Sequence, residues 1–301
     1  GMSDYAVVLC ARMGSDRLPG KPLAVYCPDG TTNLEQIARR WLASDREPRV
    51  IVATPVEVEN DPIADIANRL GLPVSRHESG YLRNVVSEID LAVREQAPNA
   101  RWVARALADN PLVDVGLADW RLDVLAETGA DGLWYGGDHD RITYAGTTDV
   151  WSRAAWDRIA TESSGSQLEH PGAYFWDHLS KFNVVQLPLP RREYLLPVRT
   201  ELDTSSDLEM FKALFKKLYF LQHATTLAAL KLLQQFPEIA AINADVAVKS
   251  QTRAAFPVDY TARICRNCHQ RYGSTVHGAL HLFCPGCGTQ IKFYSQRSDK
   301  R

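Results

Sequence analysis

The sequence predicts an α/β fold with a mostly parallel central sheet, followed by a helical layer and a small cysteine-bearing module. Three observations carry this expectation. The runs Ala6-Val7-Val8-Leu9-Cys10 and Val50-Ile51-Val52-Ala53 are continuously apolar and of strand length, as strands buried on both faces require. Between and after them lie stretches that open on helix-start residues and close on glycine, so strand and helix alternate. Four of the six cysteines fall near the C-terminal end as two C-x2-C pairs, Cys265/Cys268 and Cys284/Cys287.

The elements follow in order. Asn33-Leu34-Glu35-Gln36 resembles a capping box and opens a helix through about Ala43; Asp61-Pro62 opens a second that Gly71 ends. Leu72-Pro73-Val74 reads as a short strand, Asn84 to Glu95 as a helix, and Trp102 to Leu107 as a strand leading straight into Ala108-Asp109-Asn110-Pro111. Gly116 to Thr128 reads as helical, Gly132 to Tyr135 and Asn183 to Leu189 as extended, and Trp151 to Thr161 and Ala173 to Lys181 as helical. The aromatic residues Trp151, Trp156, Tyr174, Phe175 and Trp176 are expected in the core. Val198 to Leu202 is a last strand ending at Asp203, and Ser206 to Tyr219, Ala224 to Gln235 and a short piece after Pro237 form the helical layer.

With 301 residues, 45% of them hydrophobic and 23% charged, and a net charge of −2, the chain is globular and long enough for about two domains. Disordered, collagenous and coiled-coil compositions are excluded. No apolar run approaches the roughly 18–20 residues of a membrane span, and Gly1-Met2-Ser3-Asp4 lacks the basic-then-apolar layout of a secretory signal, so a cytoplasmic protein is expected. Gly1 ahead of Met2 reads as a scar of tag removal.

Two thiolates three residues apart on a tight turn can share one tetrahedral ion, and two such knuckles complete four sulfur ligands around Zn²⁺. A disulfide framework is the competing reading, and it needs an oxidising compartment. Residues 259–301 carry a net charge of +5 against −7 for the rest, which marks a separate module. With Tyr260, Tyr272, Phe283, Phe293 and Tyr294, that module fits a docking surface on the acidic remainder of its own or another subunit, or a nucleic-acid grip; docking is favoured.

Immediately after the first strand, Ala11-Arg12-Met13-Gly14-Ser15-Asp16-Arg17-Leu18-Pro19-Gly20-Lys21-Pro22-Leu23 brings Arg12, Arg17 and Lys21 together on a glycine-bearing loop. Such a loop, leaving the C-terminal edge of a parallel sheet, suits a triphosphate. It is neither a G-x-G-x-x-G nor a Walker A loop, so dinucleotide and kinase readings lose support.

This stretch resembles the A-R-x-x-S-x-R-L-P-G-K-x-L signature of the cytidylyltransferases that make CMP-activated sugars, a family that includes CMP-KDO synthetase and the acylneuraminate enzymes. The spore-coat-polysaccharide type is its most similar branch. Arg105-Ala106-Leu107-Ala108-Asp109-Asn110-Pro111-Leu112 resembles the family's R-x-x-G-D-x-P-L, and Leu202-Asp203-Thr204-Ser205-Ser206-Asp207-Leu208-Glu209 resembles its V-D-T-x-x-D-L-E. Glu169-His170-Pro171 and Lys181-Phe182-Asn183-Val184-Val185 are similar to that branch's E-H-x and K-F-x-I-V. Ala108 stands where the pattern has glycine, and the S-G-T-D-R of KDO synthetases has no match in residues 77–84.

The resemblance implies a Rossmann-like, GT-A-like nucleotidyltransferase fold over residues 2–220; it does not account for the helical extension over 221–258 or for the four-cysteine zinc ribbon over 259–301, which the cysteine spacing predicts. It implies Asp109 and Asp203 as Mg²⁺ ligands, and Ala11, Arg12, Gly14, Ser15, Arg17 and Lys21 at the nucleotide's phosphates. Asn84 and Arg105 belong to the nucleotide pocket and His170 to the acceptor sugar. Arg12, Lys21, Asp109 and Asp203 are the catalytic set. The activity implied is transfer of CMP from CTP to an acidic or ketose-type sugar with release of pyrophosphate, for surface polysaccharide or glycoconjugate synthesis, in a homodimer. The alternatives are a nucleotidyltransferase using another nucleotide or a sugar phosphate, and a non-catalytic nucleic-acid-binding or scaffold protein working through the basic ribbon.

One zinc per subunit, bound by Cys265, Cys268, Cys284 and Cys287, is the expected outcome of metal analysis on protein purified without chelator. Metal contributes on the order of 10 kcal/mol to the folding of such modules. Truncation before Tyr260 should therefore unfold nothing else, and the shortened chain should still bind CTP by calorimetry.

Overall fold

The computed structural model describes residues 3–80, 83–135, 149–187, 198–218 and 225–246, together with the pairs 263–264 and 271–272. The strands are β1 (Tyr5–Cys10), β2 (Arg49–Pro55), β3 (Val74–His77), β4 (Trp102–Leu107), β5 (Gly132–Tyr135), β6 (Val150–Ser152) and β7 (Val184–Leu187). The helices are α1 (Asn33–Leu42), α2 (Asp61–Arg69), α3 (Val85–Gln96), α4 (Val115–Thr128), α5 (Arg153–Glu162), α6 (Gly172–Asp177), α7 (Ser205–Leu218), α8 (Thr226–Gln235) and α9 (Pro237–Ala240).

The seven strands form one sheet in the order β3-β2-β1-β4-β6-β5-β7, and every pairing is parallel except those of β6 with β4 and β5. The mostly parallel α/β sheet expected from the sequence is present. All six residues of β1 are buried. Tyr5, Val7 and Leu9 face a core shared with α1, α2 and α4, whereas Ala6, Val8 and Cys10 face one shared with α3, α5 and α6. The strand period of two thus distributes one apolar run over two faces, which is why it shows no polar alternation.

Local chemistry sets the helix starts. The N-cap of α1 is Thr32, one residue earlier than the sequence reading has it: its hydroxyl accepts from the Glu35 N–H while Glu35 accepts from the Thr32 N–H. Asp114 and Ser152 cap α4 and α5 by a single bond each, accepting from the Leu117 and Ala155 N–H groups. Gly71 and Gly129 take positive φ, near 70° and 66°, as a residue just past a helix end must to reverse the chain.

Four expectations need correction. The strand read at Leu72-Pro73-Val74 lies at Val74–His77, and the helix read over Ala173 to Lys181 ends at Asp177, before a 3-10 turn at Leu179–Lys181. Trp151 lies in β6 and not in a helix, because Ser152 takes the N-cap role and starts α5 only at Arg153. Its burial is as expected, with Trp151 and Trp156 both in the core. Residues 198–202 do not form a strand; the Leu202 N–H instead bonds the Asp109 carbonyl at 2.7 Å.

A third core lies beyond the sheet. Tyr26, Leu112 and Leu202 pack with Met210, Phe211, Leu214 and Phe215 of α7, with Leu230 and Leu233 of α8, and with Ile239 of α9. The segment read from the sequence as an extension therefore shares a core with α7 and with the chain that follows β4. In the C-terminal module, Arg263–Ile264 pairs antiparallel with Arg271–Tyr272; the four knuckle cysteines lie outside the described residues.

At Gly132, an added Cβ would sit 2.6 and 2.8 Å from the ring of buried Phe175 and 3.3 Å from Trp151. Overpacking of this kind costs about 1–3 kcal/mol. Gly132→Ala should lower the denaturation midpoint accordingly, measured by circular dichroism in urea; an unchanged midpoint would mean that Phe175 moves freely.

Candidate active site

Strand order reverses between β1 and β4, since β1 leads outward to β2 on one side while β4 lies on the other. In open parallel sheets the crevice beyond the carboxyl ends at such a switch point is where ligands bind. Both chain segments leaving that crevice are those singled out in the sequence: residues 11–20 after β1, and Ala108, Asp109 and Asn110 after β4.

The loop after β1 folds on the Met13 carbonyl, which accepts from the N–H groups of Ser15 at 3.0 Å and Gly20 at 2.8 Å. The Met13 N–H donates to Asn60 at 2.9 Å. These donors are thus turned inward, and the loop's side chains carry its outward charge. Gly20 adopts φ 73°, the left-handed region that favours glycine, and hands the chain to a 3-10 turn, Lys21–Leu23. Gly14 is exposed, and a Cβ there would meet nothing within 4 Å.

Asn33, which the sequence reading used only as a helix start, is fully buried and joins the two segments. Its Nδ2 donates to the Ala108 carbonyl at 2.6 Å and to the Lys21 carbonyl at 3.3 Å, and its Oδ1 accepts from the Tyr26 hydroxyl. Nothing in local periodicity marks it, because its partners come from elsewhere in the chain.

Asp203 enters the same place from the segment before α7. Lys21 Nζ reaches its Oδ1 at 2.9 Å, and Arg17 pairs with its Oδ2. Lys21 and Asp203 are largely buried, with side chains 11% and 12% exposed. An ion pair so placed is strongly destabilising to break from one side, by about 3–5 kcal/mol. The Leu202–Asp109 backbone bond brings the two aspartates' chains side by side. Glu201, another residue missed in the sequence, is close enough to matter: burial and then the Asp109 charge push its carboxyl above the usual carboxylate range, against the pull of Arg199 and Lys21.

Asp207 fixes the backbone that presents Asp203. Its Oδ2 accepts from the N–H groups of Asp203 at 2.9 Å and Thr204 at 2.8 Å, and Arg199 binds both its oxygens. Burial opposes its charge, yet hydrogen bonds from Arg199 and Asn243 and the Arg199 charge hold its carboxyl below the ordinary value.

Arg12, Arg83 and Arg105 add further positive charge around the ends of β1 and β4. The Nε atoms of Arg83 and Arg105 are buried without hydrogen-bond partners among the described residues. Burial and then the Arg12 charge lower the Arg83 pKa, as the Arg105 charge also does, against Glu88. Asn84, beside Arg83, uses its side chain to cap α3 by accepting from the Ser87 N–H at 2.8 Å. His170 is exposed just before α6; Gly172 of that helix lies against Asp149, whose carbonyl accepts from the Arg105 N–H.

Two carboxylates can hold Mg²⁺ when phosphate oxygens and water complete its octahedron. The donor set at Asp109 and Asp203 is hard oxygen, which fits. Among the described residues no three His, Cys, Asp or Glu side chains could hold a metal by themselves, so the ligand's own oxygens would be needed.

The cationic loop and the segments carrying Asp109 and Asp203 thus meet at the switch point of the sheet. A family model described as MobA-like NTP transferase domain matches residues 6–173, more than half of the chain, and the chain belongs to that family. It is 27% identical to the spore coat polysaccharide biosynthesis protein SpsF of Bacillus subtilis over 228 residues, 72% of this chain and 88% of that one. It is 31% identical to the 3-deoxy-manno-octulosonate cytidylyltransferase of Idiomarina loihiensis over 167 residues, 51% of this chain and 64% of that one. In fold it is similar to a cytidylyltransferase structure from Leptospira borgpetersenii, with a TM-score of 0.69 and 22% identity over 83% of this chain and all of that one. Among the described residues, no helix is long and apolar enough to cross a membrane.

Cys10 ends β1 under this crevice. Burial, and then the charge of Glu88, push its thiol up to about 12 against Arg105 and Arg83. A raised thiol pKa keeps the thiolate scarce until pH nears that value. At pH 8, iodoacetamide should leave Cys10 unlabelled in the folded protein, read by peptide mass analysis; labelling as fast as in the unfolded chain would contradict its burial.

Proposed function

We propose that the protein transfers CMP from CTP to a hydroxyl of an acidic or ketose-type sugar, releasing pyrophosphate and supplying an activated sugar for polysaccharide or glycoconjugate synthesis. The observation that carries this reading is the convergence of Arg17 and Lys21 on Asp203 beside Asp109, at the crevice where Arg12 and Arg105 also stand. The sugar oxygen attacks the α-phosphorus in line. The new oxygen–phosphorus bond forms as the bond to the bridging oxygen breaks; the electron pair leaves with pyrophosphate and the hydroxyl's proton passes to solvent.

Each group has a role set by its charge. Arg12, Arg17 and Lys21 face the phosphates and neutralise charge that builds on the leaving group, where fixed cations act without reorganising. Arg83 and Arg105 extend that field along the nucleotide. Asp109 and Asp203 would hold Mg²⁺, which supplies further neutralisation of the phosphate oxygens when bound. His170, exposed just before α6, is the candidate contact for the acceptor. The zinc ribbon is a structural module that docks on a subunit of a homodimer.

Ligand-induced melting shifts with each of the four nucleoside triphosphates test the nucleotide, since selective binding stabilises the folded state. The largest shift is expected with CTP, and pyrophosphate release from a screen of sugar acids then identifies the acceptor; a larger shift with another triphosphate would replace the cytidine reading. Arg12→Ala should weaken CTP binding about 10–100-fold, the worth of a charged hydrogen bond, while leaving cytidine binding within about 2-fold. Calorimetry with both ligands decides, and equal losses would move Arg12 away from the phosphates. Asp109→Asn should abolish most pyrophosphate release with an unchanged melting temperature.

A further inference from the structure

The helices after α7 touch both acidic segments from behind, through two buried side chains. Thr226, 3% exposed at the start of α8, donates its hydroxyl to the Leu112 carbonyl at 2.8 Å, on the chain that has just passed Asp109. Asn243, 1% exposed just beyond α9, donates from Nδ2 to Asp207 Oδ1 at 2.8 Å and to the Arg199 carbonyl at 3.2 Å. Both of its partners are acceptors, so only the NH₂ end of the amide can face them. Its Oδ1 is buried with no hydrogen-bond partner among the described residues. An unpaired buried acceptor is costly, so the amide is held there for what its NH₂ end does.

The consequences run to the aspartates. Asp207 receives the Asp203 and Thr204 N–H groups on one oxygen, and the Asn243 amide fixes the other. Arg199, bidentate on Asp207, also reaches Glu201 at 2.9 Å, and so sets the segment on which Glu201, Leu202 and Asp203 follow one another. Leu202 then bonds the Asp109 carbonyl. Leu230, Leu233 and Ile239 seat these helices on Leu112 and Leu202, so the apolar contact and the two hydrogen bonds act on the same two segments.

We infer that Thr226 and Asn243 are positioning residues that fix the separation and orientation of Asp109 and Asp203, making the post-α7 helices the back wall of the cation-binding site. This rests on the metal role given to those aspartates under the proposed function. Partners that orient metal ligands commonly change metal affinity about 10–100-fold when removed, although they never touch the ion.

The test uses the full chain with Mn²⁺ as the probe in the presence of CTP, its affinity read by electron paramagnetic resonance, and CTP affinity measured separately in EDTA. Asn243→Ser should weaken Mn²⁺ binding about 10-fold, with CTP binding in EDTA within about 2-fold of the parent. Thr226→Val, which exchanges the hydroxyl for a methyl of similar size, should weaken Mn²⁺ binding about 5-fold, the worth of one hydrogen bond. Asp203→Asn serves as the reference and should weaken it more than either. If Asp203→Asn loses Mn²⁺ affinity while Asn243→Ser and Thr226→Val keep it, or merely melt earlier, the positioning role is overturned. If Asp203→Asn itself keeps the parent affinity, the metal role of the aspartates falls, and this inference with it.

Discussion

Strand β1 is paired on both edges, with β2 and β4, and packed against a core on both faces. Sliding it by one residue would exchange Tyr5, Val7 and Leu9 for Ala6, Val8 and Cys10 and misfit both cores at once. Its end is therefore fixed, and with it the point where the basic loop begins. The same holds for β4, whose register against β1 is locked over all six residues, so that Asp109 emerges level with Arg12. A site that depends on charges a few ångströms apart needs this kind of support, since misplacement by an ångström can remove most of its effect.

Three carboxylates at the crevice are paired with cations. Asp203 has Lys21 and Arg17, and Asp207 and Glu201 share Arg199. A buried ion pair gains little net stability over apolar packing, but removing one partner is expensive. The arrangement is thus better understood as specifying where Asp203 sits than as holding the fold together, which the three apolar cores do. Lys21 is bound twice into that arrangement, through its ammonium to Asp203 and through its carbonyl to Asn33.

Much of this was legible in the sequence because it depends on local pattern. The runs of β1 and β2, the strand from Trp102 to Leu107 and the helix ended by Gly129 announce themselves by periodicity and turn chemistry. What stayed hidden depends on partners remote in sequence. Trp151 looks helical beside Trp156 until Asp131 and β4 claim residues 150–152 for a strand, with Ser152 bonded to Asp131. Residues 198–202 have a strand's composition, but the Leu202 N–H bonds the Asp109 carbonyl and the Arg199 side chain binds Asp207, so the segment is held without joining the sheet. Asn33, Glu201, Arg83 and Asn243 are ordinary polar residues in sequence, and only the contacts made across the fold give them a role.

The family match ends at residue 173, so it includes the basic loop and Asp109 but stops short of Asp203. The missing half of the acidic pair is supplied by a segment whose place is set by the third core, with α7, α8 and α9 closing over Leu112 and Leu202. Leu112 belongs to the matched region and Leu202 does not, so this core is where the two parts are joined. Long-range contacts of this kind form only after the loops between them close, an entropic cost that apolar burial must outweigh. The site therefore cannot be assembled by the sheet alone: its second carboxylate arrives with the helices that follow, and the Leu202–Asp109 bond is the point where the later chain meets the earlier one.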